Sequence, residues 1–151
     1  MNTDRKDGRY QRLYEQLQGL LAKPGNRLSR MATLAALLSH KMDHFFWTGF
    51  YLLDEGKLIV GPYQGPVACQ LLAKDTGVCW AGINQGQSII VPDVHQFPGH
   101  IACDSRSNSE IVVPVYRADG TIEGVLDVDS RDFNAFDETD RIWLEKMVSL
   151  L

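Results

Sequence analysis

Apolar residues recur at three- and four-residue intervals over residues 9–22, RYQRLYEQLQGLLA, where Tyr10, Leu13, Tyr14, Leu17, Leu20 and Leu21 form one stripe. That period predicts an amphipathic helix, stopped by Pro24-Gly25-Asn26. A second helical stripe, Leu28, Met31, Leu34, Ala35 and Leu38, runs through 28–41. From Phe45 the period changes to two. FFWTGFYLLDEGKLIVGPYQG reads as two strands around a turn at Asp54-Glu55-Gly56, with Trp47 and Tyr51 on one face of the first strand. Residues 67–87 are mixed: ACQLLA predicts a short helical piece, and VCWAGINQG a helical turn ending at Gly86. SIIVPDV predicts a short strand, and 94–109 a long polar loop. IVVPVYR and IEGVLDVDS predict a hairpin joined by Ala118-Asp119-Gly120, irregular or at an edge where Pro114 cannot donate. A closing helix begins at Asp137, with Asp140 three residues on as in a capping box, and Ile142, Trp143, Met147, Val148 and Leu151 give its apolar face. Helices, then an antiparallel meander, then a helix make an α+β arrangement.

The 151 residues suit a single domain over 1–151, and neither a linker nor a repeat interrupts them. A formal charge of −4 argues against non-specific nucleic-acid binding, which needs a basic face. MNTDRKDGRYQR has charge but no apolar core and does not read as a signal peptide. The longest strongly apolar stretch, 32–38, falls far short of a membrane span. A cytoplasmic protein with no membrane partner is therefore expected.

The chemistry gathers around thiols and carboxylates. Of three cysteines, Cys69, Cys79 and Cys103, no two stand two to four residues apart, so their spacing suggests no metal site. Cys69 and Cys79 sit in apolar surroundings, where inert packing is an ordinary fate. Cys103 sits instead in a polar loop, between His100 and an acidic-polar run ending at Glu110. His100 reads as a loop residue after Pro98-Gly99, and nothing in the sequence makes it a base for Cys103. Asp127 and Asp129 point to one face of their strand and Leu126 and Val128 to the other. The plain reading of those acids, and of Glu110, is a solvated outer face. The functional one is three carboxylates meeting in a pocket and raising each other's pKa, so that one keeps a proton near neutrality. Trp47 and Tyr51 read more readily as core aromatics than as pocket walls.

GPYQGPVAC, KDTGVCWAG, VPDVHQFPGHIACDSRSNSEIVVPV and GVLDVDSRDFNAFDETD, in that order, resemble the free methionine-(R)-sulfoxide reductases, which are built on a GAF domain. The likeness runs from about Trp47 to the C-terminus. It implies a central antiparallel sheet of about six strands, with N-terminal and C-terminal helices packed on one side. It implies that Cys103 attacks the sulfoxide, that Cys69 resolves the product, and that Cys79 assists or is dispensable, although spacing alone does not choose between Cys69 and Cys79. It implies further that Glu110, Asp127 and Asp129 hold the sulfoxide oxygen and that Trp47 and Tyr51 enclose the methyl end. Trp80, beside Cys79, departs from the small residue expected there. A thiolate is the nucleophile, and ionised carboxylates nearby would raise its pKa; a protonated acid removes that conflict and supplies the departing oxygen with a proton. Sulfenic acid, disulfide and reduction by a thioredoxin-type dithiol complete the expected cycle, with no metal, flavin or nucleotide. A homodimer is expected from the resemblance and the N-terminal amphipathic helix. The competing class is a non-catalytic GAF module that binds a small molecule, and a purely structural dimer unit explains the pocket residues least well. Turnover of free methionine sulfoxide separates them.

Overall fold

The structure is a computed structural model, and it describes residues 2–100 and 103–151. Ile101 and Ala102, inside the loop expected over 94–109, lie outside the described residues. Helix α1, Thr3–Leu21, starts well before the apolar stripe that predicts it. Asn2 caps it, accepting from the Arg5 amide, and Lys6 is buried because its ammonium meets a buried carboxylate, Asp140. Tyr10, Leu13, Leu17 and Leu21 of the stripe are buried, whereas Leu20 is exposed. The stripe is thus used within the chain's own core. Helix α2, Arg27–Lys41, opens with a reciprocal capping box between Asn26 and Ser29. Its first expected core residue, Leu28, faces solvent instead.

Strands β1 (Trp47–Asp54) and β2 (Lys57–Gln64) form the expected hairpin. Glu55 and Gly56 both have positive φ (51° and 78°), as a type I′ turn requires. The expected helical piece ACQLLA is instead extended. Its Leu71–Leu72 is strand β3, paired with Leu58 and Ile59 of β2. Six residues are too few to nucleate a helix alone, and strand pairing satisfies the backbone at once. Helix α3, Gly77–Gln85, ends at Gly86 in the left-handed conformation. Strand β4 is Ile89–Val91, and a 3-10 turn over Val94–Gln96 interrupts the expected loop.

Strands β5 (Ser109–Tyr116) and β6 (Ile122–Ser130) complete a six-stranded antiparallel sheet in the order β3-β2-β1-β6-β5-β4. Pro114 lies in β5 where the neighbouring strand has ended, since β4 pairs only with Glu110, Ile111 and Val112. Helix α4, Glu138–Val148, begins with the anticipated capping box of Asp137 and Asp140. It buries Leu144 and Met147, while Ile142 is exposed.

The sheet divides the interior in two. Helices α1, α2 and α4 pack one face, with Phe50, Ile111, Val113, Leu126 and Val128 beneath them. Helix α3 covers the other, over Trp47, Tyr51, Val112 and Val125. A polar knot ties the helical layer: buried Asp140 accepts from Lys6 Nζ (2.6 Å), the Tyr10 hydroxyl (2.6 Å) and the Asp137 amide (2.8 Å), with His44 Nε2 at 3.2 Å. Burial alone would raise its pKa, yet His44, Lys6 and Tyr10 together hold it well below the usual carboxylate range. Among the described residues no helix is long and apolar enough to cross a membrane.

Candidate active site

The central pair β5 and β6 carries the acids. Glu110 lies directly across from Asp129, and Asp127 follows two residues along β6, opposite Val112. Alternation sends Leu126 and Val128 into the helical core and the two aspartates into the other layer. All three acids line one pocket under α3. Glu110 and Asp127 are each only 5% exposed, so the solvated-face reading of these carboxylates is overturned.

Burial raises the pKa of all three acids. The charges of Asp127 and Asp129 push Glu110 further up, and Asp127 and Asp104 do the same to Asp129. Asp127 is raised least, because hydrogen bonding toward Glu110 and Cys79 offsets part of its desolvation. One Asp127 oxygen, Oδ1, is nonetheless buried without a partner. Crowded in this way, the site is built to retain protons at pH values where an exposed carboxyl has lost them.

Cys79 and Cys103 line the pocket with the acids, and Cys69 reaches its border behind Pro66, Val67 and Ala68. Cys103, in the loop before β5, is bonded to Cys69, in the loop before β3, with Cα atoms 5.6 Å apart. Both loops border the pocket. Cys79, on the first turn of α3, is free and buried. Its surroundings are not the apolar ones its sequence neighbours suggest, because its thiol approaches Asp127 and Glu110. Burial first, and then those charges, push the thiol well above its ordinary pKa. Trp80 turns away into the core and donates to the Leu72 carbonyl, so the departure from the expected small residue leaves Cys79 in the pocket wall.

Trp47 and Tyr51 are both buried and both pocket walls, with ring centroids 5.8 Å apart. Tyr63 also stacks on Trp47, with ring centroids 5.1 Å apart. Gly49 permits this, since a Cβ there would stand 2.2 Å from that of Tyr63. The aromatics have polar tips with a second task. Trp47 Nε1 donates to the Pro66 carbonyl (3.1 Å) and the Tyr51 hydroxyl to the Cys69 carbonyl (2.8 Å), so they suspend the Cys69 loop from β1. Burial, reinforced by Asp127, raises the phenol far above its usual pKa and keeps that donor protonated.

Sequence reasoning missed several contributors. Thr76, Gly77 and Val78 bring the start of α3 to the pocket, and Thr76 makes no side-chain cap, leaving the first amides of the helix free. Asp104 and Ser107 also line it. Arg106 grips Asp104 through Nε (2.9 Å) and a terminal nitrogen (2.7 Å) and holds its pKa down to about 2. Arg106 and Arg131 also both lie over the Phe46 ring, at 4.9 and 4.6 Å from its centroid. The Asp104–Arg106 pair is local, two residues apart, but the contacts of Phe46 with Arg106 and Arg131 link segments far apart in the chain, and no local motif announces them. His100 lines the pocket, and partial burial lowers its pKa.

A GAF-domain family model matches residues 31–151. GAF domain-containing protein A of Dictyostelium discoideum is 47% identical over 147 residues, covering 97% of this chain and 92% of the relative. The free methionine-R-sulfoxide reductase of Escherichia coli is 39% identical over 142 residues, 94% of this chain and 86% of the relative. Among solved structures, the free methionine-R-sulfoxide reductase from Neisseria meningitidis in complex with its substrate superposes with a TM-score of 0.89 at 38% identity, covering 93% of this chain and 84% of that one.

Proposed function

The chain belongs to the free methionine-(R)-sulfoxide reductase family of GAF domains, and from that premise we propose that it reduces free L-methionine-(R)-sulfoxide to methionine with its own cysteines. What carries the reading is one juxtaposition: the bonded pair Cys69–Cys103 at a pocket that also holds three crowded carboxyls with raised pKa values. A non-catalytic ligand sensor has no need of either.

In the proposed cycle the Cys103 thiolate attacks the sulfoxide sulfur while an acid among Glu110, Asp127 and Asp129 delivers a proton to the oxygen. The sulfur–oxygen bond breaks, methionine leaves reduced, and Cys103 takes the oxygen as a sulfenic acid. The Cys69 thiol displaces that oxygen as water and forms the disulfide. A thioredoxin-type dithiol then exchanges with the disulfide, becoming oxidised itself and restoring both thiols. Trp47 and Tyr51 wall the end that receives the methyl group. The reaction draws on no further cofactor.

The preference for a free amino acid follows from the rest of the lining. Uncapped amides at Gly77 and Val78 suit a carboxylate, since a helix N-terminus favours anions. Asp104, held ionised at the pocket wall, suits an ammonium. A peptide bond at either end would remove one of those charges. The test is NADPH consumption with thioredoxin, thioredoxin reductase and each sulfoxide epimer. Turnover of the free R epimer is expected; none with either epimer returns the protein to the class of binding modules.

A further inference from the structure

The spacing of the cysteines in the chain gives no metal-ligand pattern, yet the fold assembles one from three separate elements. Cys79 of α3, Glu110 of β5 and Asp127 of β6 each offer a ligand atom, and these atoms all lie within 4.8 Å of one another. All three residues are buried. Among the described residues none of the salt bridges involves Glu110, Asp127 or Asp129, so the acid cluster has no cation of its own. An independent sign points the same way. Asp127 is 5% exposed, and its Oδ1 is buried with no hydrogen-bond partner, an arrangement that costs free energy unless something comes to meet it. We propose that the disulfide-linked protein binds one thiophilic divalent cation of the zinc class between Cys79 Sγ and the carboxylates of Glu110 and Asp127.

The donor set selects the metal. A thiolate with two carboxylates suits zinc, whereas magnesium and calcium require oxygen donors throughout. Zinc–ligand bonds of ~2.0–2.3 Å in tetrahedral geometry would draw the three atoms together by up to about 1.5 Å, a rotamer adjustment rather than a refolding. The pocket encloses about 60 Å³ open to water, which leaves a fourth position for a solvent molecule. On binding, the Cys79 thiol gives its proton to solvent as the sulfur–metal bond forms, and any protonated carboxyl does the same. The disulfide matters here, because Cys69 and Cys103 are then occupied and Cys79 is the free thiol. The site exists without reference to turnover. If the reductase reading also holds, the cation occupies the ground assigned to the sulfoxide oxygen, and metal and substrate exclude each other.

Equilibrium dialysis of the disulfide-linked full chain against zinc chloride tests the proposal directly, with cobalt(II) as a spectroscopic stand-in. The expected result is one zinc per chain, together with a thiolate-to-cobalt charge-transfer absorption. Loss of an outer-shell partner alone costs ~10–100-fold in affinity, so Cys79→Ser should weaken binding by at least ~100-fold and abolish the absorption. Glu110→Gln, which retains the thiol, should weaken binding while preserving a residual absorption. Thermal melts of the apo variants establish that each is folded. Absence of stoichiometric binding by the wild-type chain overturns the proposal, as does one zinc per chain that survives Cys79→Ser. Neither outcome bears on whether methionine sulfoxide is reduced, which the coupled NADPH assay reads separately.

Discussion

Replacing Glu110 with glutamine should flatten the dependence of stability on pH even as it slows turnover. Glu110 is buried opposite Asp129 and beside Asp127, and burial followed by those two charges raises its pKa well above the ordinary value. A group raised in the folded state stabilises fully below its unfolded pKa and loses that contribution as pH rises through the folded one. Above pH 5 the unfolded glutamate is largely ionised, while burial and the neighbouring charges carry protonation of the folded Glu110 to higher pH. Each pH unit over which the folded chain holds a proton that the unfolded chain has lost costs the fold ~1.4 kcal/mol. For a chain of this size ~1 kcal/mol shifts Tm by ~2–4 °C, so over each such unit the wild-type Tm should fall by roughly 3–6 °C more than that of Glu110→Gln. Asp140 does not contribute to the difference, because its lowered pKa leaves it ionised in both states over this range. Circular-dichroism melts of the disulfide-linked wild type and variant at pH 5, 6 and 7 make the measurement. Parallel lines of Tm against pH would refute the reasoning, since they would mean an ionised Glu110 at no cost. The same variant should lose ~10²–10⁴-fold in turnover as a general acid is removed.

Other expectations concern the thiols, the helical layer and the substrate. Cys103→Ser should release no methionine even in a single turnover. Cys69→Ser should release about one per enzyme and stall with a sulfenic acid that dimedone traps, and Cys79→Ser should retain at least partial thioredoxin-dependent activity. If Cys103→Ser produces stoichiometric methionine, the attacking thiol is misassigned. Asp140→Asn should cost ~3–5 kcal/mol by stranding buried Lys6, lowering Tm by roughly 10 °C or more with little change in activity per folded molecule. As pH falls toward Asp140's depressed pKa, the wild type should lose the same stabilisation; a variant melting like the wild type at pH 7 removes the network from the account. Methionine sulfoxide within peptides should be a far poorer substrate than the free amino acid in the coupled assay, and equal rates would sink the carboxylate-and-ammonium argument.

The parts of the fold that were legible in the sequence are those fixed by neighbours along the chain. Alternation over VLDVDS gave the correct two faces of β6, Asp137 and Asp140 announced the start of α4, and Gly56 and Gly86 marked a turn and a helix end. Alternation does not report which face is covered, so the burial of Asp127 was not readable without α3 above it. Leu71 and Leu72 have no strand period over two residues, and only β2 makes them extended. The hydrogen bonds of the Trp47 and Tyr51 tips, the stacking of Arg106 and Arg131 on Phe46 and the closeness of Cys79 to Asp127 all arise from contacts that the folded chain alone creates. Lys6 is the sharpest case, because a lysine in an N-terminal segment gives no hint of a carboxylate 134 residues away.

The suspension of the Cys69 loop from β1 has a kinetic meaning. Because the Tyr51 hydroxyl holds the carbonyl of Cys69 itself, and Trp47 that of Pro66, the backbone that delivers this sulfur does not depend on the disulfide for its position. On the Cys69 side, opening the bond therefore frees a side-chain torsion rather than a length of chain, which keeps this sulfur at high effective concentration beside the pocket. When an external thiol attacks and forms a mixed disulfide with one sulfur, the thiolate left on the other can expel that thiol in a unimolecular step and restore the original bond with no change of oxidation state.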